Sequence, residues 1–154
     1  MSAVTATAAV IGIACCGVLY GTDVFCALVL RPAAAGAAPS SVADLIGRVH
    51  HYGDRRLPVP GVAGVLATMV VTAASPTIAG HVAGALAFGA LLAWLGFYTR
   101  VSAPINKRLR LAAAIGDVPE DTRHLQQRWD SVIWLRAGLQ AVALAALLTS
   151  ALVR

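Results

Sequence analysis

Charge is scarce in this chain. Asp, Glu, Lys and Arg make up 12% of its 154 residues and aromatics 6%, while 58% are apolar, for a mean hydropathy of +0.76. A soluble domain typically carries about 25% charged residues, so a freely soluble enzyme or binding module is excluded at the outset. No stretch interleaves cations with exposed aromatics, which removes nucleic acid as a partner despite the net charge of +5. Cysteine occurs at Cys15, Cys16 and Cys26 but never as C-x-x-C, so neither a zinc site nor a dithiol redox centre is indicated. No H-x-x-x-H or E-x-x-H pattern places metal ligands on one helical face, leaving a haem or di-metal bundle unsupported. The N-terminus also lacks the basic residues of a signal peptide, and its apolar run continues past any plausible cleavage site; the first run reads as a retained span.

What the chain has instead is apolar length. Four runs, roughly Ala3–Leu30, Val59–Ala74, Ile78–Thr99 and Ser131–Leu152, stand against the ~20 residues that a bilayer crossing requires. The second is short and begins among prolines. The expectation for residues 1–154 is a single domain: an all-α membrane protein, an antiparallel four-transmembrane-helix bundle with short interfacial helices in loops one and three. Cations set the orientation. Loop one holds Arg31, Arg48, Arg55 and Arg56, and loop three holds Arg100, Lys107, Arg108, Arg110, Arg123 and Arg128, whereas loop two, "SPTIAG", has none. The positive-inside rule puts loops one and three in the cytoplasm and both termini outside, with Arg154 snorkelling at the outer surface. The alanine-rich, arginine-favouring composition points to a high-GC bacterial genome and so to the inner membrane.

Both cytoplasmic loops carry helical signals. In "SSVADLIGRVHHYGDRRL", Ser40 or Ser41 is an N-cap candidate, and Val42, Leu45, Ile46 and Val49 recur at helical spacing. In "APINKRLRLAAAIG", Ile105, Leu109 and Ala112 share a face opposite the cations, and Gly116 ends the helix. A further helix is expected to start near Pro119. Glycines, among them Gly12, Gly17, Gly61, Gly64, Gly89, Gly96 and the G-x-x-x-G of Gly80 and Gly84, are expected to let spans approach closely.

Ionisable residues inside spans are costly and therefore informative. There are two. Asp23 lies eight residues before Arg31 and Arg136 seven residues after Trp129, which places them about 12 and 10 Å from the cytoplasmic end of spans one and four. Matched depths predict an Asp23–Arg136 ion pair, either a clamp between the two spans or part of a site. Trp129, Arg136 and Gln140 fall on one stripe of span four, and Cys16, Tyr20 and Asp23 on one stripe of span one. Facing stripes of this kind would make a pocket with a positive end and aromatic walls. The cytoplasmic rim adds Arg100 and Asn106 at the end of span three, and His50, His51 and Tyr52 on the loop-one helix. Adjacent histidines cannot share one face, so only one of the pair can look into the bundle.

"TRVSAPINKRL" closing span three, followed by "RWDSVIWLRAGLQ" opening span four, resembles the anthrone oxygenase family of small four-span membrane proteins. Asn106, Trp129 and Arg136 match the family pattern. The resemblance implies oxidation of an anthrone to an anthraquinone by O₂ as co-substrate, with no metal, flavin or other cofactor. Such chemistry asks for a base, a cradle for an oxyanion and a dry apolar slot. Arg136 and Asn106 would form the cradle, Trp129 would stack on the rings, and His50 or His51, or less favourably Asp23, would take the proton; Tyr20, Arg100 and Gln140 would complete the substrate contacts. Asp23 is the weaker base because a paired guanidinium favours its charged form. Asn106 follows Pro104 in this reading because a proline-broken helix end leaves backbone groups for its amide to satisfy. The expected partners are a lipophilic aromatic small molecule and the lipid bilayer, with a homo-oligomer left open. A non-catalytic small-molecule-binding or accessory membrane subunit is the alternative, and the absence of an internal repeat speaks against a transporter.

Overall fold

The computed structural model describes residues 3–153, and the expectation for Arg154 lies outside the described residues. These residues form five helices: α1 Ala3–Gly36, α2 Pro39–Arg56, α3 Pro58–Ala73, α4 Ile78–Ile115 and α5 Thr122–Leu152. α1, α4 and α5 are each long and apolar enough to cross a membrane, whereas α2 and α3 meet that test only together, across a bend of 41°. At 1.5 Å per residue the 34, 38 and 31 residues of the three long helices run roughly 51, 57 and 46 Å, well beyond the ~30 Å of bilayer hydrocarbon. The surplus gathers at the Arg-rich end, where α2 packs against the C-terminal part of α4.

Two of the long helices overrun their expected ends. Span one was expected to stop at Leu30 and span three at Thr99, yet α1 continues to Gly36 and α4 runs through Pro104 to Ile115. Each passes its proline by widening one turn. In α1 the turn Cys26–Leu30 lets Arg31 N–H donate to the Cys26 carbonyl, and in α4 the turn Tyr98–Ser102 lets Ala103 N–H donate to that of Tyr98, five residues back in both cases. Proline has no N–H and its ring crowds the carbonyl one turn earlier, and a widened turn relieves that crowding. The loop-three helix is thus the end of span three rather than a separate element. It does end as expected, at Gly116, with φ of 71°.

The loop-one helix departs from its expected cap and face. It begins at Pro39 after extended Ala38, with no side-chain cap, and Ser40 and Ser41 lie inside its first turn. Its buried face is Val42, Ala43, Ile46, Gly47 and His50, while Leu45 and Val49 are 58% and 41% exposed. The cause is a third wide turn, Val42–Ile46, which shifts the stripe, and a partner: α2 lies on α4 rather than on a flat surface. A Cβ on Gly47 would collide with the Leu109 carbonyl and the Ala113 methyl.

α1 and α4 each pack against both α3 and α5. One apolar cluster, including Ala9, Cys16, Val71, Leu91 and Leu147, fills the part remote from the Arg-rich end, and a second, including Val42, Ile46, Leu109, Trp129 and Ile133, fills that end. Small residues make close approach real at Gly12, Gly64, Gly80 and Gly84, but a Cβ at Gly17, Gly61, Gly89 or Gly96 would meet nothing within 4 Å. Those four glycines have no packing reason. Thr77 caps α4 by accepting from Gly80 N–H at 3.1 Å, and Ser150 Oγ donates to the Gly80 carbonyl at 2.8 Å, tying α5 to the same corner. At the opposite end Arg123 donates to the Ala34 carbonyl at 2.8 Å and also to that of Ala37, fastening α5 to the end of α1.

Candidate functional site

Between the two apolar clusters lies the polar centre of the molecule. Arg136 Nη2 donates to Asp23 Oδ1 at 2.6 Å, the ion pair expected from matched depth, and both side chains are buried. Such a pair is tolerable in a dry interior only if its remaining hydrogen-bonding atoms also find partners. Trp94 Nε1–H donates to Asp23 Oδ2 at 2.7 Å and Arg136 Nη1 donates to Ser102 Oγ at 2.9 Å. Three rings surround the guanidinium carbon, with Trp94, Tyr98 and Trp129 centroids at 5.5, 5.7 and 5.6 Å, within cation–π reach. Arg136 Nε alone has no partner.

Asn106 holds a second arm of the network. Its Oδ1 accepts from Trp129 Nε1–H at 2.9 Å and its Nδ2 donates to Asp54 Oδ1 at 2.8 Å, where Tyr98 OH also donates at 2.8 Å. The amide therefore joins three helices and is not a cap for a broken one, since α4 is unbroken there. Asp54 lies one turn beyond His50 on α2. His50 is buried against Trp129, ring centroids 5.5 Å apart, and its Nε2 has no partner. α2 precedes the apolar run of α3, and burial pushes the His50 imidazole down to about 4, with Asp54 pulling the other way, so the ring is neutral at pH 7.

A cavity of about 300 Å³ opens beside this network, walled by Asp23, His50, Asp54, Trp94, Tyr98, Asn106, Trp129 and Arg136 on its polar side. Five of the expected residues thus come together: Asp23, His50, Asn106, Trp129 and Arg136. The others do not line it. His51 packs edge-on against Tyr52, Arg100 is exposed, and Tyr20 is half-buried. Gln140 is fully buried with neither amide atom paired. Among the described residues no group of three or more His, Cys, Asp or Glu is gathered to hold a metal ion.

Asp54, Trp94, Tyr98 and Ser102 escaped the sequence reading. A signal existed in their spacing: Trp94, Tyr98, Ser102 and Asn106 recur every fourth residue. On a regular helix each such step drifts about 40°, putting Trp94 and Asn106 roughly 120° apart. The wide turn Tyr98–Ser102 absorbs most of that drift and aligns all four toward Asp23, Arg136 and Asp54. No family model matches the chain, and neither a curated protein nor a solved structure is detectably similar to it.

Proposed function

We propose that this is a four-span membrane protein of the bacterial inner membrane that oxidises a lipophilic aromatic substrate, anthrone-like or phenolic, with O₂ and no cofactor. The observation that carries the reading is the cavity itself, which sets His50 and Arg136 in one wall beside an apolar space, each with a further buried nitrogen that the network leaves unpaired. A ligand bearing one acidic proton and one oxygen would set the first toward the imidazole and the second toward the guanidinium.

The chemistry follows from those atoms. Neutral His50 accepts the benzylic proton of the bound anthrone, and the negative charge moves to the ring oxygen, where Arg136 meets it. Asp54, one turn away, supports the imidazolium that forms. The carbanion reduces O₂, a C–O bond forms at the deprotonated carbon, and the resulting hydroperoxide, reprotonated from His50, loses water to leave a ketone. One O₂ is consumed, one oxygen atom enters the product and the other leaves as water. Asp23 is unsuited to the base role because both its oxygens accept hydrogen bonds. In this reading the Arg-rich end is cytoplasmic and both termini lie outside.

The test is aerobic against anaerobic incubation of purified, metal-stripped protein with a model anthrone, followed by quinone absorbance. Oxygen-dependent turnover that survives chelation and falls about 10²-fold in His50→Gln, with an unchanged melting temperature, is the expected result. A rate no greater than the spontaneous background overturns it. That outcome moves the assignment to a binding or accessory subunit, a reading favoured by the mutual pairing of Asp23, Arg136, Trp94 and Ser102, which also describes a clamp.

A further inference from the structure

The cavity is polar at one end only, and that asymmetry orients whatever fills it. Its inner end consists of Asp23, His50, Asn106, Trp129 and Arg136, none more than 6% exposed. Its outer wall is Val62, Leu66 and Leu95, which are 60%, 55% and 41% exposed, so these side chains line the space and stand on the helix surface at once. Gly61, also in the wall, narrows nothing, because a Cβ there would meet no atom within 4 Å. Along α3 the open side extends from Pro58 to Leu66, roughly 12 Å at the helical rise. In a membrane-spanning protein that side faces acyl chains, not water.

Size points the same way. At about 300 Å³ the cavity is at the lower end of the ~300–1,000 Å³ typical of small-molecule sites. It has room for a ring system and none for a long substituent, unless the substituent leaves through the apolar side.

Resting on the ligand reading given above, we infer that the substrate is a phenolic ring bearing a hydrocarbon chain opposite its oxygen. The oxygen points toward Arg136, His50 flanks the ring that carries it, and the chain passes between α3 and α4 into the bilayer. A chain in that position stays in lipid before and after binding, so it adds no desolvation cost. A chain beside the oxygen would be driven into the packed Trp129–Asn106 end, where both side chains are buried and hydrogen-bonded to each other.

Two isomers of equal composition separate these cases without any mutation. Protein in lipid nanodiscs is loaded with tritiated 2-naphthol, a tail-less tracer, and the tracer is displaced by 4-decylphenol or by 2-decylphenol. The expected result is displacement by the 4-isomer at concentrations at least 10-fold lower than by the 2-isomer. Photolysis of a 4-decylphenol carrying a diazirine on its chain should then label Val62, Leu66 or Leu95. Equal potency of the isomers, or labelling confined to other helix faces, overturns the orientation while leaving the site reading intact. No saturable binding of naphthol, either decylphenol or anthrone overturns both.

Discussion

Asp23 is held from two directions, by the Arg136 guanidinium on one oxygen and the Trp94 indole on the other, while Arg136 reaches on to Ser102. Removing one partner of so buried a pair strands the other. Asp23→Ala is expected to lower stability by ~3–5 kcal/mol, measured by reversible unfolding in mixed micelles, and Asp23→Leu combined with Arg136→Met to recover most of that loss. Wild-type unfolding of the single variant would mean that the pair contributes nothing. This pairing was legible in the sequence because depth follows from counting residues at a fixed rise. Asn106 was legible as a residue near Trp129 and Arg136 but not in its contacts: a side-chain amide bridging Trp129 and Asp54 depends on α2, an element whose position no local signal announces. Gln140 illustrates the opposite failure. It shares a stripe with Arg136, yet it stands off the cavity with an unpaired amide, and nothing in the structure explains it.

Helices were read correctly as helices, and their ends were not. Pro32 and Pro104 look like terminators, and in a regular helix they would be, but α1 and α4 carry them through on widened turns. The same turns defeat periodicity, since stripes drawn at 3.6 residues per turn lose register where a turn holds an extra residue. Glycine shows how an element's neighbours decide what a residue type means. Gly47 is where α2 comes closest to the α4 backbone, whereas Gly17 has open space around it. Gly47→Ala is therefore expected to cost ~1–3 kcal/mol by overpacking, while Gly17→Ala should be neutral or stabilising by up to ~1 kcal/mol through helix propensity; melting of the two variants side by side checks this. If both behave alike, α2 does not sit tightly on α4.

Taken whole, the molecule is a set of apolar helices with an Arg-rich head of helix ends and α2 at one side, and the cavity lies at the join between its two apolar clusters. Run lengths and cation placement were enough to foresee both the apolar helices and the end on which cations collect. The head's internal order was not foreseeable, because it comes from helix overruns and from the 41° bend between α2 and α3. In a cysteine-free background, Ser40→Cys is expected to react with a membrane-impermeant maleimide only after permeabilisation of cells, and Ala74→Cys in intact cells; the reverse pattern would invert the assigned orientation. The two wide turns that precede Pro32 and Pro104 sit where the spans give way to the head. Loss of one residue from either would restore regular winding and leave the facing of everything beyond it unchanged, since the wide turn has already absorbed that residue, but it would bring each proline ring back against the carbonyl one turn earlier. Each extra residue thus makes room for a proline inside a continuous helix, and deleting it is expected to be tolerated only where the proline is replaced as well.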